Sequence, residues 1–378
     1  MRRRTLLLLL LAAGLVVPVA GARAATPGST RSRFDFRLFS RVPGPGYPSN
    51  AAVSADGTVY EGTYTSAPGD NSPSKVFAYR HDGTLIRTYV IQGQDPSRAN
   101  PISHGVTAAA VDGNGLLYVL DQAPPRVLTL DPQTGAQRLY ASLRNVGRCS
   151  TAKHSDCSMA STDITASPDF AAFGPDGSLY VTDFYQALIW RIDPGGGDAS
   201  HVKVWFTHPL LDGSLVGGPA GIQLMNRGRT VVFDTFSSFG APQATNPTTG
   251  KLYAIDIDAH GRPAGLRRLW KSQPNDQPDG FAIAATGNIY VALGGSNQLV
   301  EIRPEGAEVT RVPDPVSNAT MRVPVDEPSG VTFDGERLLV TNLAYITSDS
   351  QHWVIFDVFA GEPGLRLFRP KISRIDTA

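Results

Sequence analysis

Apolar and polar positions along this chain alternate in short runs and do not recur at helical spacing. Six segments share one outline: small residues, a turn carrying glycine or a polar equivalent, then an apolar pair with an aromatic. They read AAVSADGTVYEG from Ala51, AAAVDGNGLLYVLD from Ala108, AAFGPDGSLYVTD from Ala171, GIQLMNRGRTVVFD from Gly221, GFAIAATGNIYVAL from Gly280 and GVTFDGERLLVTN from Gly330. Their aligned positions Tyr60, Tyr118, Tyr180, Val232, Tyr290 and Leu339 recur roughly every 50 to 60 residues, the length of a repeat built from one small sheet. Behind each copy, two further alternating runs flank a second turn, as in KVFAYRHDGTLIRTYVI and LVEIRPEGAEVTRVP. That is the pattern of a hairpin. No segment sustains a 3.6-residue apolar period over a helix length.

Six units of four short antiparallel strands predict an all-β fold, a six-bladed β-propeller in which radial closure protects the sheet edges. FDFRLFSRV, from Phe34 to Val42, could complete the last blade and close the ring; LRLFRP near Leu365 is the rival for that slot. With strands lettered A to D outwards, the A–B and C–D turns are tight, as in GPDG and RPEG. The long insertions fall in D–A and B–C connections, as in THPLLDGSLVGGP and NLAYITSDSQHW. These two loop classes leave a propeller on the same face, which is where a site on a rigid scaffold is expected.

Composition agrees: 38 glycines and 29 prolines in 378 residues exceed ordinary usage of about 12 % and point to many turns. Lys+Arg and Asp+Glu both number 34, so a nucleic-acid or anionic-membrane partner is not expected. A small-molecule substrate or ligand and a monomeric state are. The opening MRRRTLLLLLLAAGLVVPVAGARAAT reads as a signal peptide cleaved after Ala24. Its apolar run is short of the roughly 20 residues of a membrane-spanning helix. The expected layout is a signal peptide at 1–24, a linker at 25–33, the propeller at 34–372 and a tail at 373–378, in a secreted protein without a membrane segment after cleavage. Cys149 and Cys157 lie close together in a polar loop. Outside the cell such a pair is most simply a disulfide; metal binding with His154 is the alternative. NAT at Asn318 fits the glycosylation pattern.

The residue just before each inner strand is expected to face the central channel. These residues are Ser49, Thr107, Asp169, Ala220, Asp279 and Ser329, with Asn50, His104, Asp276 and Glu327 close by. Two carboxylates in a polar ring could hold a hard cation such as Ca²⁺, although an aspartate beside a proline is also an ordinary turn residue.

The repeated DGxLYV(T)D outline resembles the senescence marker protein and gluconolactonase family, six-bladed propellers with a divalent metal in the channel. NHL-type and strictosidine-synthase-like propellers share the outline. The resemblance implies three ligands: a first-blade glutamate, a fourth-blade asparagine in NG and a fifth-blade aspartate in PDG. QPDGFAI supplies Asp279 for the last, whereas GPAGIQL has Ala220 in place of the asparagine and YPSNAAV offers Ser49 and Asn50 but no glutamate. The resemblance places a polar, substrate- or metal-facing residue where Asp169 stands. The implied site is therefore Asp169, Asp279 and Asn50 as ligands of a divalent metal, Ca²⁺ before others. His104 would be general base with Asp279 also catalytic, and Thr107, Ser329 and Glu327 would contact substrate.

On this reading the protein is a secreted hydrolase that polarises a lactone or ester carbonyl and activates bound water. The alternative is a non-catalytic propeller binding a sugar, peptide or cell-wall ligand on its loop-rich face. A third reading follows the strictosidine-synthase likeness, in which Glu327 would do acid–base work. No G-x-S-x-G elbow, H-E-x-x-H pair or phosphate loop is present, and PGGGD at Pro194 reads as a turn.

Overall fold

The computed structural model of the chain describes residues 31–44, 46–64, 72–95, 104–150, 156–241, 244 and 246–373. The expected signal peptide, most of the expected linker and tail, and His154 lie outside the described residues. The chain forms two compact units, Met1–Ser32 and Arg33–Ala378, and the second carries every strand named below.

Its first strand is β1 (Phe36–Arg41). Blade one is β2 (Pro48–Val53), β3 (Val59–Thr63), β4 (Lys75–Tyr79) and β5 (Leu85–Val90). Blade two is β6 (Val106–Val111), β7 (Leu117–Gln122), β8 (Pro125–Leu130) and β9 (Gln137–Ser142). Blade three is β10 (Pro168–Phe173), β11 (Leu179–Asp183), β12 (Leu188–Ile192) and β13 (Val202–Thr207). Blade four is β14 (Pro219–Met225), β15 (Thr230–Thr235), β16 (Lys251–Ile257) and β17 (Pro263–Lys271). Blade five is β18 (Pro278–Ile283), β19 (Ile289–Leu293), β20 (Gln298–Ile302) and β21 (Glu308–Val312). Blade six is β22 (Pro328–Asp334), β23 (Arg337–Asn342) and β24 (Val354–Phe359), with β1 as its outer strand. Every sheet is four-stranded, as the repeats predict.

Successive side chains on a strand point to opposite faces, and in a propeller both faces of a blade are covered by neighbours. This explains why the second strand of a blade reads as a continuous apolar run. In β11, Leu179 and Val181 pack with Tyr118 and Leu120 of blade two. Tyr180 between them turns the other way, to Ile222, Val231 and Phe233 of blade four. The buried apolar residues fall into six such clusters, one between each pair of adjacent blades. The core is a ring of interfaces around the channel.

The ring closes through the amino-terminal candidate. β1 pairs antiparallel with β24, Phe36 opposite Val358 and Arg41 opposite Val354. Arg33 ties it to blade five, its Nη2 donating to Glu301 Oε1 at 2.6 Å and to Tyr290 Oη at 2.7 Å. The rival segment LRLFRP is not the closing strand, because β1 already occupies the free edge of β24. It crosses the face of the A–B turns instead. There the Leu365 N–H donates to Ile283 O at 2.8 Å, the Gly113 N–H to Pro370 O at 2.8 Å, and Arg369 Nη2 to Val53 O at 2.6 Å. Leu367, Phe368 and Arg369 thereby line the end of the channel on that side.

Each A–B turn is short, and Gly177 in the turn between β10 and β11 shows why its sequence is needed. Its φ is 86°, a left-handed conformation that glycine adopts without strain, while the Asp176 carboxylate accepts the Ser178 N–H at 3.1 Å. The long insertions lie on the opposite face, among the D–A connections and the B–C connections of blades one, four and six. Between β7 and β8, β11 and β12, and β19 and β20 the B–C link is tight.

Candidate functional site

Five of the six inner strands begin with proline: Pro48, Pro168, Pro219, Pro278 and Pro328. Proline has no N–H to give to a ladder and is at home in the first position of a strand. In all five of these blades the register then slips by one residue, as between Pro168↔Asp183 and Ala171↔Val181. Such a bulge re-aims the side chain it carries. Apart from Thr107, whose strand opens without proline, the residues so placed are the ones the repeat alignment singles out. Ser49, Thr107, Asp169, Asp279 and Ser329 form the floor of one cavity of about 180 Å³ on the loop-rich face, and Ala220 is buried beside them.

The rim of this cavity is apolar and aromatic, with Tyr64, Phe184, Tyr185, Phe236 and Tyr345 around it and Leu215, Val216 and Leu343 between them. Among the described residues no lysine, arginine or histidine lines it. The inner strands approach closely enough that only glycine fits at Gly221, Gly280 and Gly330. A Cβ on Gly280 would lie 2.7 Å from Phe170 Cε1 and 2.7 Å from Ser329 O, and one on Gly330 would lie 2.7 Å from Asn50 Oδ1.

Burial dominates the electrostatics. It brings the Asp169 carboxyl from its ordinary value up to about 8, with the Asp183 charge adding to the effect. Asp279 is raised well above the ordinary range by burial, then by the charges of Asp169 and Glu327, and only weakly opposed by the Gly280 amide. Neither carboxylate accepts a hydrogen bond from another side chain among the described residues. Asp183 is different: it is buried but accepts from Trp190 Nε1 at 2.9 Å, Gln186 Nε2 at 2.9 Å and the Ser167 N–H at 3.1 Å, a structural anchor for blade three.

Two further acids lie beneath the ring, on the second strands. Asp234 of β15 is fully buried, and neither of its oxygens has a hydrogen-bond partner among the described residues. Burial, then the charges of Asp279 and Asp169, hold it well above the ordinary carboxyl range, and the Gly221 amide opposes this too weakly to reverse it. Glu61 of β3 accepts the Ser49 N–H at 3.2 Å with Oε1 while Oε2 has no partner among the described residues, and burial raises it as well. The repeat alignment passes over both, although a carboxylate inside an otherwise apolar strand is a signal in itself, since such a group is costly to bury without a task. Nor does it single out the rim aromatics, which come from separate loops with no shared spacing.

Other expected residues are placed elsewhere. His104 is buried, its Nε2 2.7 Å from Ser72 O, and is absent from the cavity lining. Asn50 donates through Nδ2 to Ala108 O at 3.1 Å and lines the far end of the channel, so the structure does not bring it to Asp169 and Asp279. Ser329 is occupied in joining the ring, its Oγ donating to Ser49 O at 2.7 Å. Asp276 is held by Arg311 at 2.9 Å. Glu327 stands on the rim with its carboxylate on the Ile346 N–H, and burial raises it. Its backbone φ of 48° and the 51° of Gln277, each just before a channel proline, turn two polar side chains toward the mouth at a cost of order 1–3 kcal/mol each. Among the described residues no three His, Cys, Asp or Glu side chains gather closely enough to hold a metal ion.

Cys149 and Cys157 form the expected disulfide. None of the described residues of their loop lines the cavity, and the loop packs along the outer strand of blade three, where the Val204 N–H donates to Asp156 Oδ1 at 3.1 Å and the Met159 N–H to Thr207 Oγ1 at 3.0 Å. No described helix is long and apolar enough to cross a membrane.

No curated protein matches the chain. Among solved structures, it is similar to a gluconolactonase from Xanthomonas campestris, at 17 % identity and a TM-score of 0.52 over 87 % of this chain and 88 % of that one. It is similar also to regucalcin, a calcium-binding protein from Agrobacterium tumefaciens, at 17 % identity and a TM-score of 0.56 over 90 % and 98 %. A luciferin-regenerating enzyme aligns at 14 % identity with a TM-score of 0.53 over 87 % and 97 %. At such identities the likeness establishes the fold. Residues 216–348, from the loop before β14 into the loop after β23, match a family model. The chain is a six-bladed propeller whose residues 216–348 match the model described as the SMP-30/Gluconolactonase/LRE-like region.

Proposed function

We propose that the chain is a lactonase-type hydrolase that opens a lactone or ester at the floor of the loop-face cavity. The family match supports this class of reaction. The observation that carries the proposal within this chain is the pairing of Asp169 and Asp279, both buried at equivalent ring positions of one cavity with proton affinities far above those of free carboxyls.

Two coupled carboxylates in a poorly solvated site titrate as a pair, giving up their protons in two separate steps, and the proposed reaction uses the singly protonated form. In the proposed reaction the charged member takes a proton from water as the water oxygen bonds to the substrate carbonyl carbon. The protonated member then gives its proton to the departing alkoxide as the ester C–O bond breaks. The pair ends with one proton, as it began. The aromatic rim holds the apolar body of the substrate and excludes bulk water.

The resemblance implies a divalent cation in the channel, and the donor set fits one in chemistry. Asp169 and Asp279 are hard oxygen donors, with no cationic side chain among the described residues of the cavity lining. Asp169 and Asp279 would hold it, with carbonyls or water completing the shell. A bound Ca²⁺ would keep both carboxylates ionised and, in place of their shared proton, would supply charge stabilisation of a developing oxyanion. Export from the cell is part of the same reading, supported by the amino-terminal sequence and by a disulfide suited to an oxidising compartment.

The test is a panel of lactones and esters against the parent, Asp169→Asn and Asp279→Asn. Turnover by the parent, lowered by about 10²-fold or more in each variant, is expected. Tight binding of the same compounds without turnover would establish instead the ligand-binding reading that the aromatic rim also favours.

A further inference from the structure

A second cavity, of about 260 Å³, lies on the flank of blade four away from the channel. Its polar wall carries Lys251, Arg268 and Lys271, and among the described residues no acidic side chain lines it. The opposite wall is apolar, formed by Leu210, Ala241, Ala244 and Leu266.

The three cations meet because of the strand register. Lys251 of β16 stands directly opposite Lys271 of β17, and Tyr253, two residues on and on the same face, stands opposite Arg268. A period of two would send residues 268 and 271 to opposite faces. The register slips between Leu252↔Trp270 and Tyr253↔Arg268, leaving Leu269 as the extra residue, and the bulge brings Arg268 round to the cavity. Like charges directly opposite on neighbouring strands are destabilising, and here the fold adds a third.

Among the described residues nothing neutralises them. Lys251 is only 7 % exposed, and its Nζ donates to Thr249 O at 2.7 Å, to Thr249 Oγ1 at 2.8 Å and to Ser238 Oγ. Those acceptors satisfy its protons and leave its charge uncompensated. Arg268 and Lys271 are exposed and make no hydrogen bond or ion pair among the described residues. The adjacent Arg267, in contrast, is paired with Asp256 at 2.8 Å. The Lys251 ammonium is brought down to about 8 by burial and then by the charges of Arg268 and Lys271.

We propose that this cavity is a binding site for a small carboxylate with an apolar body, the carboxylate lying among Lys251, Arg268 and Lys271 and the body against Leu210 and Leu266. An arginine fork and two ammoniums recognise a planar anion, and the apolar wall selects an organic acid over an inorganic one. The site is separate from the channel and independent of the hydrolase reading.

The experiment is titration calorimetry of the full protein with benzoate and, separately, with sulfate. The parent is expected to bind benzoate, and the double variant Arg268→Ser/Lys271→Ser to bind it at least tenfold more weakly. The unliganded melting temperature of that variant should stay level or rise, because both side chains are exposed and their mutual repulsion is removed. Leu266→Ser should weaken benzoate more than sulfate. Equal benzoate affinity in parent and double variant would overturn the proposal. So would the absence of benzoate binding to the parent, or sulfate binding as tightly as benzoate, since a bare patch of charge would then be enough.

Discussion

Asp169 and Asp279 occupy one position in two different blades: each follows the proline that opens an inner strand, each sits at a slip in the strand register, and both face the same cavity. The mutual repulsion of their charges, added to burial, ties proton uptake at this pair to folding and to any cation in the channel.

Stability should fall as pH rises across this pair. In the unfolded chain Asp169 loses its proton near pH 4, whereas in the folded protein it retains it to about 8. Between those values the native state binds more protons than the unfolded one, so unfolding free energy decreases with pH. Asp279, Asp234 and Glu61 are raised in the same direction. Melting curves in chelator are expected to drop from pH 5 to pH 8, with a smaller drop in Asp169→Asn; identical slopes would mean that Asp169 ionises freely.

Calcium should reverse that penalty. A ligand that binds only the folded state stabilises it by RT ln(1 + [L]/Kd), about 2.7 kcal/mol at a hundredfold excess over Kd. Ca²⁺ is expected to raise the melting temperature of the parent, and to raise it much less in Asp169→Asn or Asp279→Asn. Equal responses in all three proteins would remove the channel cation from the functional reading.

Gly280→Ala probes the floor of the cavity without touching a charge. The new methyl would press on Phe170 and on the Ser329 carbonyl, both at 2.7 Å. Crowding of this kind costs typically 1–3 kcal/mol. A protein with unchanged stability would show that the inner strands separate easily.

Closure by β1 should carry much of the stability. Phe39 is 8 % exposed and meets Tyr79 of blade one edge-on at 6.2 Å. Phe39→Ala is expected to cost about 3–5 kcal/mol in chemical denaturation. Removal of residues up to Val42 exposes the β24 edge, and self-association of the truncated protein by light scattering is the expected result.

The disulfide should matter for stability alone. Cys149→Ser/Cys157→Ser opens a small ring, worth less than about 3 kcal/mol by loop closure. Since the described part of its loop is absent from the cavity lining, turnover at 25 °C is expected to be unchanged; a large loss would mean that the loop acts on the site.

Much of this architecture was legible in the order of residues. Alternation with period two, turns carrying glycine and six recurrences of one outline dictate short antiparallel strands in six equal units, because local backbone preference and the burial of both blade faces demand the same pattern. The ring positions 49, 107, 169, 220, 279 and 329 come out of that repeat, since equivalent residues of equivalent strands must face the same axis. What only the tertiary structure decided is how separate parts meet. Either FDFRLFSRV or LRLFRP could pair with β24, and the choice rests on which end of the chain reaches its free edge. Asn50 follows Ser49 on β2, and a one-residue difference on a strand sends a side chain to another face; His104 precedes β6, and neither residue lines the cavity. Asp234 and Glu61 are buried beneath the ring on neighbouring strands, the aromatic rim was assembled from loops distant in sequence, and a bulge at Leu269 brought Arg268 to the cavity beside Lys251. Each of these depends on through-space packing and register, which a linear pattern does not encode.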